Sequence, residues 1–358
     1  MGYAIMNFPS QLSMPLEDWP LLTHDLPGSR GTLQELEDFI VEELPAYLPQ
    51  GEGEHCFAFI EKKNLTTPEA IRRICNQLGI SNTGVGYAGL KDKRGITRQW
   101  ISFQGISPEK MQTIQHEDLK VILAKLHRNK LRTGHLKGNR FEVQLRDTTS
   151  EALSLAQASC TKIQQSGLPN YYGAQRFGHE GRNVSEALKI IKTKKRTTSD
   201  RIEHRLLLSA LQSYIFNKVL AQRLRDNSLQ KLIGGEVLQK IESGGLFVSE
   251  DLEEDGRRLA SGELVITGPI CGPRMVKPKE DSPALKLEAD IIQSVGVSPE
   301  DFGAFGRLAR GGRRPLMVRV SDLKLEEPAP GFLRISFVLP PGSYATVLLR
   351  EVTKKDLR

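Results

Sequence analysis

A single carboxylate, Asp92, stands in the run GYAGLKDKRGITRQW (residues 86–100) among Lys91, Lys93, Arg94 and Arg98. Nearby positive charge favours the ionised form of an acid. One cation at about 5 Å is worth roughly 3 kcal/mol at an effective dielectric of about 20, and much less in open solvent. An ionised aspartate can attack as a nucleophile or take a proton as a general base. The same residue in a Lys-Asp-Lys-Arg-Gly segment is also an ordinary turn former with salt-bridging neighbours, and local sequence alone favours that plainer reading.

Other chemistries find less support. GVGYAG (residues 84–89) matches G-x-G-x-x-G, but a dinucleotide loop needs a strand before it and a helix after it. Here a helical pattern precedes it and KDKRGITRQW follows, so the glycines read as relief for tight backbone and no nucleotide cofactor is expected. The acids supply no identifiable pair for a two-carboxylate hydrolase. The seven histidines are scattered, and the four cysteines, Cys56, Cys75, Cys160 and Cys271, form no C-x-x-C pair. That usage argues against a metal site and a disulfide framework and suits reduced, cytoplasmic thiols.

With 50 Lys plus Arg against 43 Asp plus Glu, the net charge of +7 is modest for 358 residues, and its distribution says more than its size. Residues 120–140 carry Lys120, Lys125, Arg128, Lys130, Arg132, Lys137 and Arg140 with no acid, and 189–196 and 307–314 are also basic. Each run alone suits a solvated face; several together suit a polyanion such as a phosphate backbone. The N-terminus lacks a basic start followed by an apolar core, and no apolar run is long enough to span a membrane.

The elements that must position these residues are readable in outline. Strands are expected around Phe39–Val41 and Cys56–Ile60. LTTPEAIRRICNQLGI reads as a helix capped by Thr67, with Ala70, Ile71, Ile74 and Leu78 on one face and Gly79 as its stop. Residues 86–103 read as strand, basic loop, strand, and FEVQLRD (141–147) alternates as a strand. SEALSLAQASCTKIQQSG is a second helix, and SDRIEHRLLLSALQSYIFNKVLAQRLRD opens a long helical middle. Strand-like alternation returns in LMVRVSDLKLE and LRISFVLPPGSYATVLLREV. This order predicts an α+β domain interrupted by a mostly helical insertion.

Several longer stretches resemble the TruD family of pseudouridine synthases. GYAGLKDKRGITRQW is similar to its G-x-K-D-[KR] segment followed by T-x-Q-W, PQGEGEHCFAFIEKKNLTT to its G-E-G-E-H stretch, and HRNKLRTGHLKGNRFEV to its H-x-x-K-L-R-x-G-x-L-x-G-N-x-F motif. NYYGAQRFG and LPPGSYATVLLRE are similar to two further motifs, so the resemblance runs in order from residue 51 to residue 351. It implies a pseudouridine synthase-type mixed or antiparallel sheet in a catalytic domain (1–173 and 319–358) and a TruD-specific insertion domain (174–318). It also implies an RNA substrate, in bacterial members uridine 13 of tRNA, with no cofactor and no metal.

By position the resemblance makes Asp92 the catalytic aspartate, Asn139 and Phe141 the lining of the uracil pocket, and Phe39 and Tyr344 further aromatic walls. Tyr344 replaces the Phe of other members, keeping the ring and adding a hydroxyl. Leu33 stands where some relatives have a basic residue, leaving Arg30 or Lys91 as a substitute cation to pair with Asp92, and Lys91 is also assigned to the substrate pocket. The charge runs assign Lys93, Arg94, Arg128, Lys130, Arg132 and Lys137 to RNA, while Arg176 either binds phosphate or pins the domain junction. A cytoplasmic monomer is the default expectation, and a catalytically silent RNA-binding protein of the same fold is the alternative.

Overall fold

The structure, a computed structural model, describes residues 19–193 and 201–357. In chain order its elements are β1 (Phe39–Pro45), β2 (His55–Lys63), α1 (Thr67–Leu78), β3 (Gly86–Tyr87), β4 (Ile96–Gln104), α2 (Pro108–Gln112), β5 (Leu119–His127), β6 (Leu136–Arg146) and α3 (Ala152–Ser166). There follow β7 (Leu168–Pro169), α4 (Arg182–Thr193), α5 (Arg201–Arg225), β8 (Val237–Lys240), β9 (Leu246–Val248), α6 (Leu252–Ser261), β10 (Leu264–Ile270) and α7 (Pro283–Ser294). The chain closes with β11 (Gly312–Pro315), β12 (Met317–Val318), β13 (Ser321–Glu326), β14 (Phe332–Leu339) and α8 (Ala345–Thr353). Two compact units result: a sheet unit of Asp25–Ser166, Arg319–Ala345 and Val352–Arg358, and a helix-rich unit of Gly167–Val318 and Thr346–Glu351 with the described residues up to His24.

The sheet unit is built on strands in the order β13-β14-β6-β1-β4-β2-β5, with β3 added beside β4. Its pairings are antiparallel except β1 with β4, so the sheet is mixed. Because strand side chains alternate between faces, the register fixes which residues share one. Val41 pairs with Phe141 and Thr97, Phe141 with Phe337, and Thr97 with Lys62. One face therefore carries Phe39, Val41 and Glu43 of β1, Asn139 and Phe141 of β6, Phe337 of β14, Thr97 and Gln99 of β4, and Lys62 of β2.

On that face α1 packs Ala70, Ile71, Ile74 and Leu78 against Cys56, Ala58, Ile60, Ile101 and Phe103. Its start differs from the sequence reading by one residue. Thr66, not Thr67, is the cap: its hydroxyl accepts the Glu69 N–H, and the Glu69 carboxylate accepts the Thr66 N–H at 2.7 Å. Gly79 ends the helix in the left-handed conformation at φ 67°, as its position implied.

The helix-rich unit holds α4 to α7 and a four-stranded sheet, β11-β10-β8-β9, which the helical texture of the sequence did not announce. The paired β7 and β12 bring its first and last segments side by side. The C-terminal reading needs a larger correction. The stretch LRISFVL is β14, but ATVLLREVT is helix α8 rather than a strand. Val347, Leu348, Leu349, Arg350, Glu351 and Val352 are all buried, so no polar face marks the helical period. Buried Arg350 donates to the Trp19 carbonyl at 2.6 Å, and buried Glu351 accepts the N–H groups of Leu22 and Thr23.

Candidate active site

Asp92 lies in the loop between β3 and β4 and is exposed, as are Lys93 and Arg94. The backbone that presents it is held from beneath by buried polar side chains of four elements. Freed from capping, the Thr67 hydroxyl accepts the Lys91 N–H at 3.0 Å and donates to the Gln99 side chain at 2.8 Å. Gln99 donates in turn to the Gly89 carbonyl at 3.3 Å. The Lys91 ammonium meets the Glu43 carboxylate at 2.8 Å, and Glu43 also accepts the Trp100 N–H at 3.3 Å. Both partners of this pair are buried, with side chains 7% and 1% exposed, so neither charge has water as a substitute. Lys62 completes the set by donating to the carbonyls of Leu65 and of Asp92 itself, the latter at 3.0 Å.

Gly95 closes the loop for a steric reason. Its φ is 108°, and a Cβ there would overlap the Phe39 carbonyl and approach the Phe39 ring. Phe39 thereby stands against the aspartate loop and begins a row of aromatic rings. Its centroid is 6.1 Å from that of Phe141, which stacks on Phe337 at 5.2 Å. Phe39 is half-buried, whereas Phe141 and Phe337 are buried. Asn139 pairs in register with Glu43 on one side and Leu339 on the other, and its side-chain oxygen is buried without a hydrogen-bond partner among the described residues. Tyr344, half-buried, follows β14 by five residues in the turn before α8.

The cations around Asp92 in sequence thus divide in space. Lys91 is taken by Glu43, and Arg98 faces the opposite side of the sheet, where it bonds Glu61 at 2.8 Å and Glu42 at 3.3 Å. Burial would raise the Glu61 carboxyl, but hydrogen bonds from Arg98 and Lys120 outweigh it and leave it below the usual range. Lys62, which the sequence analysis does not single out, is the buried lysine at the aspartate. Strand parity could have found it, since Lys62 falls in step with Cys56, Ala58 and Ile60, all of them buried.

A second loop rests against the same segment. Leu131 donates its N–H to the Ser102 hydroxyl at 3.0 Å, and Gly134 donates to the Ala88 carbonyl at 2.8 Å. Any Cβ on Gly86 would overlap the Leu131 carbonyl, which gives the middle glycine of GVGYAG a packing role. Arg128, Arg132 and Lys137 in and beside this loop are exposed and Lys130 is half-buried. Arg128 forms an exposed pair with Glu52. The buried thiols offer no competing nucleophile: burial pushes Cys56 up to about 11 and Cys160 and Cys271 up to about 12. Among the described residues no cluster of His, Cys, Asp and Glu could hold a metal ion.

The family model for tRNA pseudouridine synthase D (TruD) matches residues 18–196 and 196–352. The chain belongs to the TruD family of tRNA pseudouridine synthases. It is 39% identical over 345 residues to a tRNA pseudouridine synthase D of Anaeromyxobacter sp. (strain Fw109-5), covering 95% of this chain and 97% of that one. Against a counterpart from Thermus thermophilus the identity is 41% over 342 residues, covering 95% and 93%. A crystal structure of the TruD protein from Methanosarcina mazei superposes with a TM-score of 0.72 at 25% identity, covering 95% of this chain and 97% of that one. Pseudouridine synthases are isomerases, and the mixed sheet with its helices is the fold of that TruD neighbour.

A further TruD-like motif lies in the helix-rich unit. In NYYGAQRFG, the Tyr172 N–H bonds the Asn217 side chain at 2.9 Å and the Tyr172 ring lies 4.1 Å from the Arg314 guanidinium. Arg176 is half-buried beside the same ring and donates to Ser213 of α5 at 3.3 Å. The basic run 307–314 is likewise partly consumed. Arg313 makes two bonds to the buried Glu288 carboxylate, at 2.6 and 2.8 Å, and Arg314 bonds the Asn170 side chain at 2.6 Å. Of the run 189–196, Lys194, Lys195 and Arg196 lie outside the described residues. No helix among the described residues is long and apolar enough to cross a membrane.

Proposed function

We propose that this chain converts uridine to pseudouridine in tRNA, at uridine 13, with Asp92 as the catalytic carboxylate acting on a flipped-out nucleotide. The observation that carries this reading is an accessible acid on an anchored loop: Asp92 is exposed, yet Thr67, Gln99 and Lys62 bond the backbone of Lys91, Gly89 and Asp92, and Glu43 holds the Lys91 side chain. Such preorganisation serves a reacting group and gives nothing to a turn.

The reaction breaks the C1′–N1 bond, rotates the uracil and forms C1′–C5; the C5 hydrogen leaves as a proton and N1 gains one. No redox step or external group is involved. The carboxylate can attack C1′, add to the uracil ring, or remove a ribose proton, and each route needs it ionised and in contact with the nucleoside. Extruding the nucleotide costs a few kcal/mol. Stacking on an aromatic ring returns about 1–3 kcal/mol, and Phe39, the half-buried end of the Phe39–Phe141–Phe337 row, is the ring a base meets first. The Asn139 side-chain oxygen, buried without a partner among the described residues, serves the polar edge of the uracil in this reading, the amide oxygen and nitrogen being interchangeable by a flip. Tyr344 and Lys91 complete the proposed substrate pocket, Lys91 by setting the loop through Glu43.

RNA binding in this reading falls to Lys93, Arg94, Arg128, Lys130, Arg132 and Lys137. Arg176 supports the fold of its own unit. The catalytic domain is 1–173 with 319–358, the insertion 174–318, and the protein acts as a cytoplasmic monomer. Release of tritium from tRNA transcripts labelled at uridine C5 tests the proposal, with cytidine at position 13 as control. Release that vanishes with cytidine at 13 and with Asp92→Asn is expected. Release that persists without uridine 13 overturns the site, and binding without any release favours the silent RNA-binding alternative.

A further inference from the structure

Lys62 is 1% exposed, on a strand face otherwise occupied by Cys56, Ala58 and Ile60. An ammonium there must be hydrogen-bonded and charge-balanced to be tolerated. Its bonds go to the carbonyls of Leu65 and Asp92. The charged groups facing it are Asp92 and Lys91 from the loop and Glu69 from α1, while its register neighbours, Thr97 of β4 and Leu119 of β5, are uncharged. The two residues that sequence reading offered as partners for Asp92 are otherwise placed: Arg30 is exposed and Lys91 is bonded to Glu43.

We infer that Lys62 is a positioning residue of the catalytic centre: its ammonium anchors the Asp92 peptide and supplies the buried positive charge against which the Asp92 carboxylate works. The inference rests on the reading of Asp92 as the catalytic acid. A lysine in this place is a poor choice for stability alone, because a buried charge is costly to keep. Its position ties that cost to the one loop that must hold still.

Burial lowers the Lys62 ammonium to about 8; Asp92 pulls it back up, Lys91 pushes it further down and Glu69 raises it. The charge is therefore present at neutral pH and lost as pH rises through about 8. Turnover should fall along that limb while the KM for tRNA stays level. Lys62→Met keeps most of the volume and removes the charge; it should lose roughly 100-fold in kcat, the scale of removing one preorganised electrostatic group. It should also lose the alkaline limb, and Lys62→Arg should recover part of the rate with the limb displaced upward.

A second readout does not depend on the Lys62 variants folding. In protein labelled with 13Cε lysine, one resonance of the wild type should titrate near 8, and its midpoint should fall in Asp92→Asn, which removes the favourable charge. Wild-type kcat with an unchanged limb in Lys62→Met overturns the inference, as does a wild type whose lysines all titrate at the ordinary value near 10.4. If Asp92→Asn keeps full turnover, the reading of Asp92 fails instead; an abolished Asp92→Asn beside a normal Lys62→Met sinks the role of Lys62 alone.

Discussion

Arg310–Arg314, which runs into β11, and the loop Lys91–Arg94, which leads into β4, are both short basic stretches, and the structure uses them in opposite ways. In the helix-rich unit Arg313 is clamped by Glu288 and by the Thr267 carbonyl, with 1% of its side chain exposed, and Arg314 is spent on Asn170 and Tyr172. In the sheet unit Lys91 is spent on Glu43, while Asp92, Lys93 and Arg94 are exposed. Glu288 and Asn170 hold two arginines of the first stretch in place, whereas Glu43 holds one lysine of the second and its three neighbours stay at the surface.

That contrast can be broken experimentally. Arg313→Ala should cost about 3–5 kcal/mol of stability, because Glu288 is left buried and unpaired, and should leave the salt dependence of tRNA binding untouched; urea unfolding and titrations at several salt concentrations read the two effects. Lys91→Met should cost a similar 3–5 kcal/mol and, unlike Arg313→Ala, should depress turnover beyond any loss of folded protein. Thr66→Ala, which removes the α1 cap, should cost about 1 kcal/mol with little change in kcat, since the loop is held by Thr67. Arg132→Ala with Lys137→Ala should change stability by no more than about 0.5 kcal/mol, yet reduce the slope of log affinity against log salt by roughly 0.7–0.9 for each phosphate that is no longer neutralised. A salt slope that follows Arg313 rather than Arg132 and Lys137 would reverse the assignment of the two regions.

Much of the sheet unit is legible in the sequence because its signals are local. The alternation of FEVQLRD gives β6, and the apolar face of residues 70–78 between Thr-Pro and Gly79 gives α1. What escapes is set by pairing. Glu43 and Lys62 are charged residues at buried parity on β1 and β2, and only the register shows that they share a face with Asn139 and Phe141. Arg98, close to Asp92 in sequence, is removed to the other face by the same alternation. Helix α8 escapes because it is buried all round, which erases the polar stripe that marks a helix at a surface.

The central claim is that Asp92 performs the chemistry and is not a turn residue. It is tested most directly by single-turnover pseudouridine formation with Asp92→Asn at saturating enzyme, alongside its thermal stability and tRNA affinity. The exposed, nearly isosteric change should leave folding within about 0.5 kcal/mol of wild type and binding intact while product formation disappears. Product formed at the wild-type rate by the folded, tRNA-bound variant would contradict the account.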